Sequence, residues 1–298
     1  MKTIKSLLII TTALLLTSCA GNDNNYDASG SFEATEIIVS SQANGKILSL
    51  NIIEGQTLLA NQIIGQIDST QLYLQKMALL SNAQGVRAQR PNIDAQTAAI
   101  EQQIQTLQQE RTRTQNLIAA NAANKKQLDD INSQIDVLQK QLSAQTSTLQ
   151  KSSANISAQS SALHIQVAQL EDLLEKSTIK SPISGVVLNK YAEEGELAGT
   201  GTPLFKIADI ENMHLRAYVT NDQLSKVKLN DEVEVRVDAG NGEMKTYTGT
   251  VSWISDKAEF TPKTIQTKNE RANLVYAIKI AVKNDGFLKI GMYGEVVF

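Results

Sequence analysis

The sequence predicts an elongated α+β protein of several domains: a β-domain split in two by a long antiparallel coiled-coil hairpin, then a small β-barrel. Three observations predict it. A short pattern occurs twice at an offset of 140 positions, with Gly45 mapping on Gly185, Glu54-Gly55 on Glu194-Gly195, Ile64 on Leu204 and Ile67 on Ile207. Between the copies, Gln71 to Lys176 is rich in Gln, Ala, Ser and Leu and holds one glycine and one proline. After the second copy, short alternating runs of apolar and polar residues continue to Phe298. The offset is too long for a solenoid, whose units recur every ~20–50 residues. The two copies therefore read as halves of one domain that meet in space.

Composition agrees with an extended shape. The 298 residues are 42% hydrophobic, enough for two or three small cores, but only 4% aromatic, low for one compact core. A net charge of −3 gives no basic patch, so no nucleic-acid partner is expected. The single cysteine, Cys19, rules out an intramolecular disulfide.

From the N-terminus, Lys2 and Lys5 precede the apolar run Leu7–Leu16, whose 10 residues are short for a membrane span and suit the core of a signal peptide. Leu16-Thr17-Ser18-Cys19 follows and resembles a bacterial lipobox, which implies cleavage before Cys19 and a diacylglyceryl group on its thiol. An ordinary secretory signal with an incidental cysteine is the alternative. Acyl chains contribute ~0.8 kcal/mol per buried CH₂, so several would hold the chain firmly on a membrane. No other apolar run reaches the ~18 residues of a membrane span. Ala20 to Ser31 carries Gly, Asn and Asp without an apolar period and reads as a tether.

The first half-pattern, 37–68, is β. Ile37, Ile38 and Val39 are β-branched, Lys46 to Ile52 alternates, and Gly45, Gly55 and Gly65 read as turn positions open to positive φ. Asp68-Ser69-Thr70 supplies a helix N-cap. Along the following stretch the period decides between helix and Gln-rich disorder. Ile93, Thr97, Ile100, Ile104, Leu107, Arg111, Thr114 and Ile118 step by four and three. So do Ile131, Ile135, Leu138, Leu142, Gln145, Leu149, Ser152, Ile156, Gln159, Leu163, Gln166, Leu170 and Leu173, which makes a coiled-coil seam. The runs break in Ala119 to Asn124, the expected tip of a hairpin. Pro91 is expected to kink or break the ascending helix.

The second half-pattern, 178–209, repeats the β signals, with Gly185 and Gly195 at its turns. Beyond it, His214–Val219, Glu232–Val237, Tyr247–Ile254, Ala272–Val282 and Met292–Phe298 read as strands. Gly240-Asn241-Gly242 reads as a hairpin turn, and Asn221–Val227 as a short capped helical turn. Several strands at short spacing suggest a barrel. The expected division is a signal peptide over 1–18, a lipid-anchored tether and N-terminal strand over 19–36, a split β-domain from 37–68 and 178–209, a hairpin over 69–177 and a barrel over 210–298.

Catalytic and metal chemistry find little support. His164 and His214 lack Cys or His partners at ligand spacing, and the methionines are scattered. Ser184-Gly185 has no nucleophile-elbow context. Glu193-Glu194 and Asp129-Asp130 read as solvated pairs, and Gly199-Thr200-Gly201-Thr202 lacks the lysine and helix of a phosphate loop.

Ser181-Pro182-Ile183-Ser184-Gly185-Val186-Val187, Gly291-Met292-Tyr293-Gly294-Glu295-Val296, the hairpin and the lipobox together resemble the membrane fusion protein family, the periplasmic adaptors of haemolysin-secretion D type. Ala258 to Lys263, with Gln266-Thr267 and Glu270-Arg271, resembles the subgroup paired with ABC exporters. The resemblance implies a lipoyl-like (biotinyl-like) sandwich for the split domain. Asp68-Ser69-Thr70 carries no lysine where a carrier domain would bear its cofactor, so no lipoyl or biotinyl cofactor is expected. It further implies no enzymatic activity and a homo-hexameric ring. The expected partners are an inner-membrane transporter of ABC type and a TolC-like outer-membrane channel. At the tip, the family pattern of Arg, then Leu, then Ser falls on Arg113, Leu117 and Asn124, with Asn in the Ser position; a solvated Arg113 and a seam Leu117 are the alternative.

The location implied is the periplasm of a Gram-negative bacterium, with the lipid in the inner membrane, although Ala20 points weakly to the outer one. Longer relatives continue into a membrane-proximal domain, which is expected to be absent or rudimentary here, Ser29 to Glu36 adding a strand to the barrel instead. Alternatives are the adaptor of a proton-driven (RND-type) pump, a carrier domain, or a structural envelope-spanning lipoprotein with no transporter.

Overall fold

The structure, a computed structural model, describes residues 26–240, 242–260 and 274–298. The signal segment 1–18, Cys19, Asn241 of the expected hairpin turn, and 261–273 with Gln266-Thr267 and Glu270-Arg271 lie outside the described residues. In order the elements are β1 (Ala28–Ser40), β2 (Gly45–Leu50), β3 (Thr57–Leu58), β4 (Ile63–Ile67), α1 (Thr70–Ala88), α2 (Ile93–Ala119) and α3 (Lys125–Lys176). Then come β5 (Thr178–Lys180), β6 (Gly185–Lys190), β7 (Leu197–Ala198), β8 (Pro203–Thr220), α4 (Asn221–Leu224), β9 (Glu232–Gly240), β10 (Glu243–Phe260), β11 (Leu274–Lys283) and β12 (Tyr293–Val297). The chain is a mixed helix and strand protein, a helical hairpin carried on β-domains.

The two half-patterns form one sandwich. One sheet has the order β5-β4-β2-β7, and the other is the β1-β8-β6-β3 portion of a larger sheet, so each half contributes strands to both. Their shared core contains Ile47, Ile52, Leu58, Ile64 and Ile67 from the first half. It also contains Val187, Ala192, Ala198, Leu204 and Ile207, their counterparts 140 positions on. Alternation along each strand points every second side chain inward, which is why the apolar positions repeat in both copies. Removing one such side chain, as in Ile47→Ala, costs about 2–5 kcal/mol.

Hydrogen bonds between the halves are reciprocal. Gly55 N–H donates to Val187 O at 2.8 Å, and Gly195 N–H to Ile47 O at 2.9 Å. Asn61 N–H donates to Ser181 O and Gly201 N–H to Ser41 O, both at 2.8 Å. Gly55 and Gly195 take φ of 85° and 95°, which a residue without Cβ adopts at little cost. Gly45 and Gly185, read above as turns, open β2 and β6 instead and are not among the positive-φ residues. Their reason is space: a Cβ on Gly45 would lie 2.8 Å from Asp68 O, and one on Gly185 2.3 Å from Ala208 O.

β1 and β8 run on from the sandwich into the barrel without interruption, through a register shift between Glu33 and Thr35. The barrel closes as β1-β12-β9-β10-β11-β8 and back to β1. Phe32, Leu215, Val235, Ile278 and Ile280 are among its buried core. The strand expected over Ser29 to Glu36 is present as part of β1, which pairs with both β12 and β8 and starts at Ala28, within the stretch read above as a tether. Its Ser and Gly content hid it from the period, and Gly30 is there because a Cβ would sit 1.8 Å from Arg216 O. α4 is a single turn closed by a capping box between Thr220 and Gln223. Beside the barrel core, Lys245 Nζ bonds Asp285, whose other oxygen accepts from Tyr247 Oη at 3.0 Å, and Lys245 lies 4.9 Å from the Phe287 ring centroid.

The hairpin has one continuous arm and one broken arm. α3 has 52 residues, which at 1.5 Å each spans ~80 Å. The ascending arm is α1 and α2, interrupted at 89–92 around Pro91. Pro91 lacks the N–H that would continue the ladder. Asn92 restarts the helix, its side-chain oxygen accepting from Ala95 N–H at 3.0 Å.

Along α2, all eight seam positions from Ile93 to Ile118 are buried or half-buried. Along α3 the reading holds from Ile131 to Leu149, then slips. The inward residues after Leu149 are Ser153, Ile156, Ser160, Leu163, Val167, Leu170 and Leu174, whereas Ser152, Gln159, Gln166 and Leu173 face solvent. Gln145, Leu149 and Ser153 make two steps of four in succession, a stutter in the heptad. It lies beside the point where Arg90, in the broken arm, bonds Ser157.

Candidate functional site

The candidate site is the tip of the hairpin together with the mount that aims it. At the mount both strands of the lever are tied to the sandwich. Asp68 N–H donates to Lys46 O and Ile67 N–H to Ser177 O, each at 2.8 Å. Ser177 is fully buried, and its Oγ–H donates to Leu173 O at 2.9 Å. Within Asp68-Ser69-Thr70 the side chain at the helix entry is that of Asp68: its carboxylate accepts Thr70 N–H at 3.0 Å, while Ser69 makes no side-chain cap bond. That backbone hydrogen bond is the first cause that holds the Asp68 carboxyl below its usual range.

At the tip, α2 ends in a Schellman motif. Asn121 takes φ 55°, its N–H donates to Ile118 O at 2.9 Å, and Ala122 N–H donates to Leu117 O at 2.8 Å. Asn is one of the few residues besides Gly that adopts this conformation readily. Asn124 then caps α3, its Oδ1 accepting Lys126 N–H at 3.0 Å. The tip is therefore a defined turn between two capped helices.

Arg113 and Leu117 lie four residues apart on α2, on one face of the helix. Both are exposed, Leu117 to 42%. The seam position beside it is Ile118, so Leu117 is not a seam residue and is free to touch a partner. Asn124 sits across the turn, with its oxygen committed to the cap. Cys19 lies outside the described residues. No described helix is long and apolar enough to cross a membrane. Among the described residues, no cluster of three His, Cys, Asp or Glu is placed to hold a metal ion.

The sequence reading missed a set of outward apolar residues on the sandwich. Ile53, Leu59, Ile63 and Leu197 are 71%, 68%, 66% and 85% exposed. A signal was present: Ile52-Ile53, Leu58-Leu59 and Ile63-Ile64 are apolar pairs where only one member can face the core. The second half carries Glu193, Gly199 and Pro203 at the positions matching Ile53, Leu59 and Ile63, whereas Leu197 belongs to the second half and is matched by Thr57 in the first.

Comparison with known proteins agrees with this architecture. Residues 35–209 match the family described as RND MFP, barrel-sandwich hybrid domain. A UPF0194 membrane protein of Citrobacter koseri is 29% identical over 300 residues, covering 93% of this chain and 89% of the relative. The UPF0194 membrane protein YbhG of Salmonella arizonae is also 29% identical, with the same coverage. Among solved structures, MacA from Actinobacillus actinomycetemcomitans superposes with a TM-score of 0.51 at 20% identity, over 90% of this chain and 76% of that one. The membrane fusion protein Spr0693 from Streptococcus pneumoniae R6 gives 0.50 at 19%, over 90% and 96%.

Proposed function

The chain belongs to the RND membrane fusion protein family, and on that premise we propose that it is a non-enzymatic periplasmic adaptor of an efflux or secretion system. In this reading it joins an inner-membrane transporter of ABC type to an outer-membrane channel. Its Cys19 lipid holds it on the inner membrane, and six copies form a ring with the hairpins side by side. The sandwich and barrel stack around the transporter, and the tips meet the channel. Energy is spent in the transporter, and the adaptor seals and aligns.

The observation that carries this reading is the mount. The turn where a carrier domain would present a modified lysine is here the exit into an ~80 Å lever, tied to the sandwich through Asp68 and Ser177. Such a body reaches across space. Exposed Arg113 and Leu117 at the far end support the tip as the docking surface, with Asn124 as both cap and third contact. The outward Ile53, Leu59, Ile63 and Leu197 suit burial between copies in a ring.

The matched family's name carries RND, which favours a second reading in which the transporter is proton-driven. Purification of the complex from the envelope, with and without residues 93–155, tests the adaptor function. The full chain is expected to bring both a transporter and a channel, and the deletion to keep the transporter and lose the channel. A full chain that copurifies with no transporter overturns the reading. ATP hydrolysis by the copurified transporter selects the ABC form, and its absence the proton-driven one.

A further inference from the structure

We propose that the break in the ascending arm is a binding site for a phosphate group. Arg87 in the last turn of α1 and Arg90 in the break face Ser157, Ser160, Ser161 and His164 of α3 across a cleft of about 180 Å³. Every one of these side chains can donate a hydrogen bond, and none is acidic. Arg90 Nη2 already donates to Ser157 Oγ, and Ser157 passes its own hydrogen to Ser153 O at 2.8 Å. The serines are small, so they leave room where the stutter turns them toward the arginines.

The charge balance of the cleft differs from that of the hairpin next to the mount. Nearer the mount, Lys76 of α1 is paired with Glu171 of α3 at 2.7 Å, and Lys176 with Asp172 at 2.6 Å. Among the described residues, Arg87 and Arg90 have no carboxylate within ion-pair distance. Two guanidinium groups on one cleft repel each other, and an anion between them relieves that repulsion. A carboxylate satisfies one planar fork, whereas a phosphate has oxygens for two forks and for the serine hydroxyls besides. The occupant is therefore a phosphate or phosphomonoester, free or carried on a lipid headgroup.

Such an anion would touch α1, the break and α3 at once. It would pin the one interruption in the lever. This inference stands apart from the adaptor reading and does not need a transporter.

The test uses the full-length protein in detergent at constant ionic strength, titrated by calorimetry with inorganic phosphate, glycerol 3-phosphate and dihexanoyl phosphatidic acid, with chloride as the balancing salt. Saturable binding of one equivalent is expected, with slower amide exchange over residues 86–96. The R87Q/R90Q variant should bind roughly tenfold more weakly or worse. The K140Q/K226Q variant, which loses the same charge elsewhere, should bind as the parent does. Equal affinity for all three ligands identifies a free phosphate site, and a marked preference for the acylated one identifies a lipid headgroup site. No saturable binding of any of the three, or binding that R87Q/R90Q leaves unchanged, overturns the proposal.

Discussion

Buried Ser41 and Ser181 make the same hydrogen bond from the two halves of the sandwich: Ser41 Oγ–H donates to Ala43 O at 2.6 Å, and Ser181 Oγ–H to Ile183 O at 2.7 Å. Each also receives the chain of the other half, through Gly201 N–H on Ser41 O and Asn61 N–H on Ser181 O. The pair extends to Ala60 N–H on Ser184 Oγ and Thr200 N–H on Asn44 Oδ1. The halves are therefore related by an internal pseudo-two-fold, with the self-complementary contacts that such symmetry imposes. A lever 52 residues long in its unbroken arm needs a mount of this kind, since the sandwich closes only when both ends of the insert return to it.

The closest contact in that mount predicts the first mutational effect. Gly185→Ala places a Cβ 2.3 Å from Ala208 O, a backbone atom that cannot rotate away. A loss of about 1–3 kcal/mol is expected in denaturant unfolding. Gly85→Ala, where nothing lies within 4 Å of the added Cβ, should be neutral or slightly stabilising in the same assay.

Acid should weaken the barrel through one carboxylate. The Asp285 carboxyl is held at about 2, first by its hydrogen bond to Lys245 and then by Phe287 N–H. A lowered value in the folded state gives stability that is present above the unfolded value near ~3.9 and lost as pH falls through about 2. Asp285→Asn should therefore melt below the parent at pH 7, with the difference shrinking between about pH 4 and pH 2. A difference that stays constant across that range would contradict the assignment.

Pro91 and Asn92 should together account for the broken arm. In a Pro91→Ala, Asn92→Ala variant, the missing N–H returns and the competing cap is gone. Slower amide exchange over 89–92 and a small gain in helical circular dichroism are expected. Unchanged exchange would place the cause of the break elsewhere.

Much of this architecture was legible because its signals are periodic. The 140-residue offset survives in the core, where Ile47 and Val187, Ile64 and Leu204, and Ile67 and Ile207 occupy paired positions. The α2 seam was readable throughout because Ile93, Ile100, Ile104 and Ile118 mark its phase. Past Leu149 the first shifted positions of the α3 seam are Ser153 and Ser160, and a stutter marked by serines gives little apolar contrast to reveal it. Ala28–Ser31 shows no apolar period, its pairing being made by the backbone and its glycine chosen for the approach of Arg216, so the strand over Ser29 to Glu36 was expected only from the family resemblance. Gly45 and Gly185 were found by position, but their cause is space and not φ. At the tip, sequence could propose Arg113, Leu117 and Asn124 and put Ile118 in the seam, and the structure adds the exposure of Leu117 and the capping bond of Asn124.

If the tip is a docking surface, Leu117 matters to the partner and little to the fold. Leu117→Ala and Arg113→Ala should each change stability by no more than about 0.5 kcal/mol, because both side chains are exposed. Both should nonetheless reduce recovery of the channel in the purified complex. A large loss of stability in Leu117→Ala would return that residue to the seam.

The most direct test of the central claim is in-cell photocrosslinking from position 117, with position 165 on the same hairpin, also exposed, as the comparison. An adaptor whose tip docks a channel predicts that the probe at 117 captures an outer-membrane channel protein and that the probe at 165 does not. Capture of the channel equally from both positions, or from neither while the full chain is correctly anchored, would contradict it.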